Sequence, residues 1–332
     1  MADARPTISA REQGAALLTV LMLVAVMAVI TAVALERLTL ATRMAQNGVS
    51  ADQGRALLAA GEAAAGLRLA DLVAARPGRT SLTGNWLGTP QSFPVAGGVV
   101  TARVRDAGNC FNINSLVKEE GADTFVTRPM GVTQFASLLR LVGTNSGTAD
   151  QIAAASADWI DSDTVAAPGG AEDSSYQQGQ APYRTAGSLL ADPSEIRTVT
   201  GMTAPIYERL RPWLCALPVA DLSPININTL LPDQAILLAM LADGRIGPET
   251  ARQVLARRPA DGYGGLPEFW NQPALAQLGV SAEATAQSKL TSRWFEVDLT
   301  VDLAGTDVGE TILLDAQGTP ARLVRRRWGD EI

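Results

Sequence analysis

Histidine is missing from all 332 residues of this chain. Its absence removes the usual general base near neutral pH and the commonest ligand for zinc and copper, so hydrolases built on Ser-His-Asp or Cys-His pairs are excluded. Lysine is almost missing too, with Lys118 and Lys289 alone, and arginine carries the remaining positive charge. The net charge is -7, whereas a nucleic-acid scaffold needs a basic face. Cysteine occurs twice, at Cys110 and Cys215. Proline is absent from Thr7 through Arg76, so nothing in that stretch breaks a helix.

What is present begins with Ala15 to Leu35, a run without charge, glycine or proline. As a helix it reaches roughly 30 Å, the thickness of a bilayer's hydrocarbon core, and reads as a membrane span. Ahead of it sits a polar leader, residues 1–14, that closes on Gly14. A secretory signal would put its small-residue junction after the apolar run, and here the junction precedes it. Beyond Leu35 the residues stay helix-forming to Ala75, so one long helix is expected over 15–75. Arg5 and Arg11 before the span balance Arg37 and Arg43 after it, and charge therefore does not set the orientation.

Thr80 to Pro94, rich in Gly, Pro, Ser and Thr, reads as a linker. Val95 to Arg105 alternates in the period of a half-buried strand, which places 76–110 with strand material. From Phe111 to about Lys289 apolar residues recur at helical spacing, as in Thr133 to Val142 and Gln151 to Ile160, and further helices are expected from Pro193, Pro205 and Pro232. Strands return at Trp294 to Leu303, then at Thr311 to Leu314 and Ala321 to Arg327, after glycine turns at Gly305, Gly309 and Gly318. Neither strand group can bury a face alone. The expected fold is therefore α+β, with a long N-terminal helix and a small antiparallel sheet drawn from both ends of the chain (76–110 and 291–332). A large all-α domain is inserted over 111–290; three sequential domains are the alternative.

Asp158, Asp161, Asp163, Glu172 and Asp173 lie within sixteen residues, with no lysine or arginine among them. Folded tightly, such a cluster repels itself unless solvent or a cation relieves it, and oxygen-only ligands suit a hard cation, calcium before magnesium. Asp161, Asp163 and Glu172 stand at positions one, three and twelve of an EF-hand loop, but positions five and six are Val165 and Ala166, so the loop is not an EF-hand. A solvated acidic loop is the plain alternative. Two AsnIleAsn elements, at 112–114 and 226–228, suit helix caps with a buried isoleucine. The second opens a stretch, 225–275, that looks like a helix-hairpin-helix unit of DNA-uptake proteins, and a membrane-anchored protein of that kind is the alternative function. Over 226–288, however, four arginines face six acids, too acidic for phosphate affinity.

Cys110 and Cys215 either remain free thiols or pair, and in a chain tethered outside the cytoplasm pairing is the expectation. A bridge of that span stabilises by up to about 4–5 kcal/mol in the entropic account.

The leader ending in glycine before an apolar helix resembles the signal of type IV pilins and type II secretion pseudopilins. The runs DWIDSDTVAAPGGAEDSSY, PYRTAGSLLADPSEIRTV, YERLRPWLCALP and ININT, in that order, are similar to the minor pseudopilins of the protein K family of type II secretion, and the likeness spans Gly14 to about Thr229. The resemblance implies several things. A prepilin peptidase would cut between Gly14 and Ala15 and methylate the new N-terminus, leaving Thr19 at the fifth mature position, where most pseudopilins carry glutamate. Calcium would be held by Asp161, Asp163, Glu172 and Asp173, leaving Asp158 facing solvent. The protein would be a non-enzymatic, single-pass inner-membrane component with its bulk in the periplasm and without nucleic acid. Its partners would be proteins I and J, and H, with the major pseudopilin. The pseudopilus tip is the expected position on two features of the chain: Thr19 stands where the glutamate of filament subunits meets a neighbouring subunit's N-terminal amine, and the inserted helical domain is too bulky for a subunit stacked above it.

Overall fold

The computed structural model describes residues 10–178, 182–303 and 306–329, giving backbone alone for 10–14 and 306. The first nine residues of the expected leader lie outside these. Helix α1 (Ala10–Ala74) runs unbroken for 65 residues. Its first half is exposed, with an apolar window of mean hydropathy 2.8 that is long enough to cross a membrane. The hydroxyl of Thr19 bonds back to the Ala16 carbonyl at 2.8 Å, so its polarity is satisfied within the helix.

The strands in chain order are β1 (Gln91–Val95), β2 (Gly98–Asp106), β3 (Phe111–Asn112), β4 (Val117–Gly121), β5 (Thr124–Thr127), β6 (Leu214–Cys215), β7 (Trp294–Leu303), β8 (Thr306–Asp315) and β9 (Arg322–Trp328). Five of them form an antiparallel sheet of order β1-β2-β7-β8-β9, and the second half of α1 lies across it. β2 pairs with β7 over its full length, Gly98 opposite Leu303 and Asp106 opposite Phe295, so the two ends of the chain form one sheet. Alternation places Phe295, Val297, Leu299, Val301 and Leu303 on the buried face, where Leu58 and Leu69 of α1 pack against them. Gly54 brings the helix close: a Cβ there would stand 2.9 Å from the Val308 side chain.

Two strand expectations turn out differently. Gln91–Val95, expected mostly as linker, is β1, an edge strand that tolerates Pro94 because it is paired on one side only. Gly309 is not a turn: it lies inside β8 opposite Thr300, held by the ladder. The expected turn at Gly305 falls outside the described residues.

Between β2 and β7 the chain builds a mostly helical domain with its own core. It contains α2 (Pro129–Leu141), α3 (Ser146–Ile160), α4 (Asp173–Tyr176), α5 (Ala204–Leu210), α6 (Ala235–Leu241), α7 (Pro248–Ala256), α8 (Leu266–Trp270) and α9 (Ala282–Gln287). It is not helical from Phe111 onward, because β3 pairs in parallel with β6, and β4 with β5 forms a hairpin. The segment from Pro193 is a 3-10 turn, as is Pro232–Gln234 ahead of α6.

Cys110 and Cys215 form a disulfide with Cα atoms 5.8 Å apart, closing a span of 105 residues at the neck of the domain. Nearby Asp106, at the end of β2, is buried and accepts from the Thr229 and Ser292 hydroxyls and, at 3.0 Å, from the Gly108 amide. Burial pushes its carboxyl above the ordinary range. One carboxyl group thus ties together the sheet, the second AsnIleAsn element and the segment that returns the chain to β7.

Candidate functional site

The acidic residues occupy the C-terminal end of α3 and the loop beyond it. Ile152, Ala153, Ala157 and Ile160 of α3 are fully buried, which fixes the helix and carries Asp158 and Asp161 inward. The chain then turns at Asp163, whose Oδ1 accepts the Val165 amide at 2.7 Å. It returns through Gly169 and Gly170 to bring Glu172 back. One carboxylate oxygen from each of Asp161, Asp163 and Glu172 lies within 4.8 Å of the others. Asp161 and Glu172 are each 4% exposed, and Asp163 is on the surface.

Their hydrogen bonding is incomplete. Asp161 Oδ2 accepts from Thr127 Oγ1 at 2.7 Å, but Oδ1 has no partner among the described residues. Neither oxygen of Glu172 has one among the described residues. Burial, then the charges of Asp161, Asp158 and Asp163, push Glu172 up to about 7, and burial also raises Asp161. Buried carboxylate oxygens without donors are costly as they stand. A hard cation with oxygen ligands satisfies such a set, and the three residues fit one.

Asp173 is placed differently. Its Oδ1 accepts the amide and hydroxyl of Thr185 at 2.9 and 3.0 Å, so the Asp173 side chain pins the returning loop. Asp158 does not face solvent: it is 1% exposed and accepts the Ala167 amide at 3.3 and 3.1 Å. Burial pushes it up to about 6. Gly170 lies so close that a Cβ would stand 1.9 Å from Asp158 Oδ2, so a side chain there would evict the carboxylate. Sequence patterning gives no sign of Thr127 or Ser162. Ser162 accepts the Phe125 amide through Oγ and donates its own amide to the Phe125 carbonyl, both at 2.9 Å. The cluster is therefore stitched to the β4–β5 hairpin. An aromatic group stands beside it, with Trp159 edge-on to Tyr176 at 5.0 Å and to Tyr183 at 5.9 Å.

The AsnIleAsn elements are more than caps. In each, the first asparagine accepts the amide two residues on, from Asn114 at 3.3 Å and from Asn228 at 2.9 Å. The second pairs with a distant backbone amide and carbonyl together: Asn114 with Leu190, Asn228 with Tyr263. In the helix-hairpin-helix-like unit, three arginines turn to the protein itself. Arg258 donates to the Ile227 and Leu230 carbonyls, Arg245 to Leu278 and Gly279, and Arg252 to Glu249. Groups engaged in this way are not laid out for phosphate contacts. The chain's Ser-x-x-Lys spacing, Ser115 to Lys118, is not a dyad either: Ser115 is buried, and Lys118 donates to Glu120 at 3.0 Å on the surface.

Two protein-family models, both described as type II secretion system (T2SS), protein K, match residues 109–219 and 225–291, so the likeness continues past Thr229. The chain is 36% identical over 324 residues to type II secretion system protein K of Pectobacterium carotovorum subsp. carotovorum, covering 96% of this chain and 97% of that protein. It is 35% identical over 323 residues to the protein K of Klebsiella pneumoniae, again over 96% of this chain and 97% of the relative. Among solved structures, a chain of the GspK-GspI-GspJ complex from the type 2 secretion system of enterotoxigenic Escherichia coli superposes with a TM-score of 0.68 at 29% identity, over 83% of this chain and 98% of that one. With relatives of this identity matched almost from end to end, the chain belongs to the protein K family of the type II secretion system.

Proposed function

We propose that this protein is a minor pseudopilin held in the inner membrane by α1, with its bulk in the periplasm, that initiates and tips the pseudopilus of type II secretion. The observation that carries the reading is α1 itself, which continues without a break from an exposed apolar segment into the sheet's core while a bulky domain hangs between β2 and β7. A domain of that size crowds any subunit stacked above it, and only the end of a close-packed filament has room. Thr19 supports the same position. A subunit with nothing above it has no neighbouring amine to meet, and an unpaired carboxylate there would cost several kcal/mol; the Thr19 hydroxyl is satisfied by its own helix.

The partners are the other minor pseudopilins. Proteins I and J come first, because the similar solved chain is in a complex named for GspI and GspJ; H and the major pseudopilin follow from the filament role. Prepilin peptidase cuts between Gly14 and Ala15, and the new N-terminus is methylated. The protein works as a structural component and not as an enzyme. Calcium is its ion, with Asp161, Asp163 and Glu172 holding it. Asp173 belongs to the set through the family resemblance, acting on the loop through Thr185. When bound, the ion neutralises the crowded carboxylates and fixes the loop.

The test is a pull-down of the full protein from detergent-solubilised membranes against tagged proteins I and J. Co-purification is expected, and its absence at native expression would overturn the assignment. Intact-mass analysis of the membrane form gives a second test, with a mature chain beginning at a methylated Ala15 as the expected result.

A further inference from the structure

The seam between α1 and the sheet is lined mainly by apolar side chains, with a charged group set into it. Glu62, between Leu58 and Leu69 on α1, has a side chain only 11% exposed. Glu310, from β8, is 2% exposed. Arg326, from β9, grips Glu62 with Nε on one oxygen and Nη2 on the other, and stands 3.4 Å from Glu310 Oε2. Neither oxygen of Glu310 accepts a hydrogen bond from any donor among the described residues. Two carboxylates against one guanidinium would leave a buried negative charge uncompensated, an arrangement that a helix–sheet joint does not tolerate cheaply. The two carboxyls crowd the same guanidinium nitrogen, Arg326 Nε, from either side of the seam, and two carboxyl groups meeting there bond each other only through a proton.

The charged groups acting on Glu310 are Glu62 from α1 and Arg326 from β9. From β7 the residue opposite is Leu299, and the neighbouring Asp298 is held by Thr311 and Arg105. The residue opposite on β9 is Trp328, whose ring lies under Arg326.

We propose that Glu62 and Glu310 share one proton beneath the half-open guanidinium of Arg326, and that this trio is a pH-sensitive latch holding the second half of α1 to the sheet. Burial, followed by the Glu62 charge, raises the Glu310 carboxyl to about 7. For an acid raised in the folded state, the stabilising contribution is complete below its ordinary value of 4.5 and is lost as pH rises through about 7. The latch is therefore closed in mildly acidic surroundings and weakened in alkaline ones, without any change in the apolar contacts.

The experiment is hydrogen exchange of the α1 amides from 58 to 69 in the full-length protein in detergent micelles, at about pH 5.5 and about pH 8.5, corrected for intrinsic rates. In the natural protein, protection is expected to fall roughly tenfold or more at the higher pH, whereas Glu310→Gln, neutral at both, holds it level. Equal protection at the two pH values, or a Glu310→Gln protein that loses protection as the natural one does, overturns the latch. Isotope-edited infrared spectroscopy at about pH 6 gives an answer even if the variant folds poorly. A protonated-carboxyl band from labelled glutamate is expected in metal-free Glu172→Gln, where Glu172 no longer contributes to it, and its absence there would also overturn the proposal.

Discussion

Asn114 and Glu172 are both buried polar side chains of the helical domain, and their surroundings could hardly differ more. Asn114 receives the Leu190 amide and donates to the Leu190 and Leu217 carbonyls, all at 2.8–2.9 Å, so its amide stands in for a strand of backbone between loops far apart in sequence. Glu172 has two oxygens and, among the described residues, no donor for either. The first is a finished part of the frame; the second is unfinished by anything the described residues supply. Burial alone therefore does not separate framework from site. For a side chain that can carry charge, whether the chain itself completes the hydrogen bonding does.

The contrast can be broken first on the framework side. The disulfide lies in the same seam, since Asn112 and Cys215 are register partners. Replacing both cysteines by serine is expected to cost about 4–5 kcal/mol, the loop-closure value for a span of this length, read as a shift in the denaturant midpoint. Asn114→Ala strands three buried backbone groups and is expected to cost about 3 kcal/mol in the same measurement.

The acidic segment should respond with the opposite sign. Glu172 is raised from 4.5 to about 7 in the folded chain, so without metal its contribution is complete below 4.5 and lost as pH rises through 7. Metal-free Glu172→Gln should therefore be more stable than the natural protein near pH 8, by about 1 kcal/mol, and no more stable near pH 5. A loss of stability at the higher pH would show that Glu172 is framework after all. The smallest effect is expected at Asp163, which is exposed. Asp163→Ala should change metal-free stability by less than about 0.5 kcal/mol, yet abolish the concentration-dependent rise in Tm that calcium gives the natural protein. If calcium and chelator give superimposable melting curves, the segment is an acidic loop and nothing more.

The outline is legible in the sequence where periodicity or chemistry is local. The apolar run of α1, the alternation of β7 and the crowded acids are each visible in a short window. Several details are not. β1 contains Pro94 and an exposed Phe93, and only pairing with β2 makes it a strand. The β4–β5 hairpin carries Lys118, Glu119 and Glu120, ordinary helix formers, and is held as a hairpin by cross-strand pairing and by Ser162. Burial of Asp158 depends on Gly170 passing close over it, a contact between two chain segments that no spacing rule encodes. The trio of Asp161, Asp163 and Glu172 is legible from its charge density. The engagement of Asp173 by Thr185 is not, because it depends on where residue 185 returns in space.

The continuity of α1 also makes it a lever. Its close contacts with the sheet begin near Gly54, which leaves the stretch from Ala15 to that residue as a free arm, roughly 58 Å of stiff rod at about 1.5 Å per residue. Tilting the sheet by about 10° about that fulcrum would sweep the far end of the rod through roughly 10 Å, about the diameter of one helix. Rotations of the folded part too small to disturb its own packing are thereby magnified into displacements as wide as a neighbouring chain.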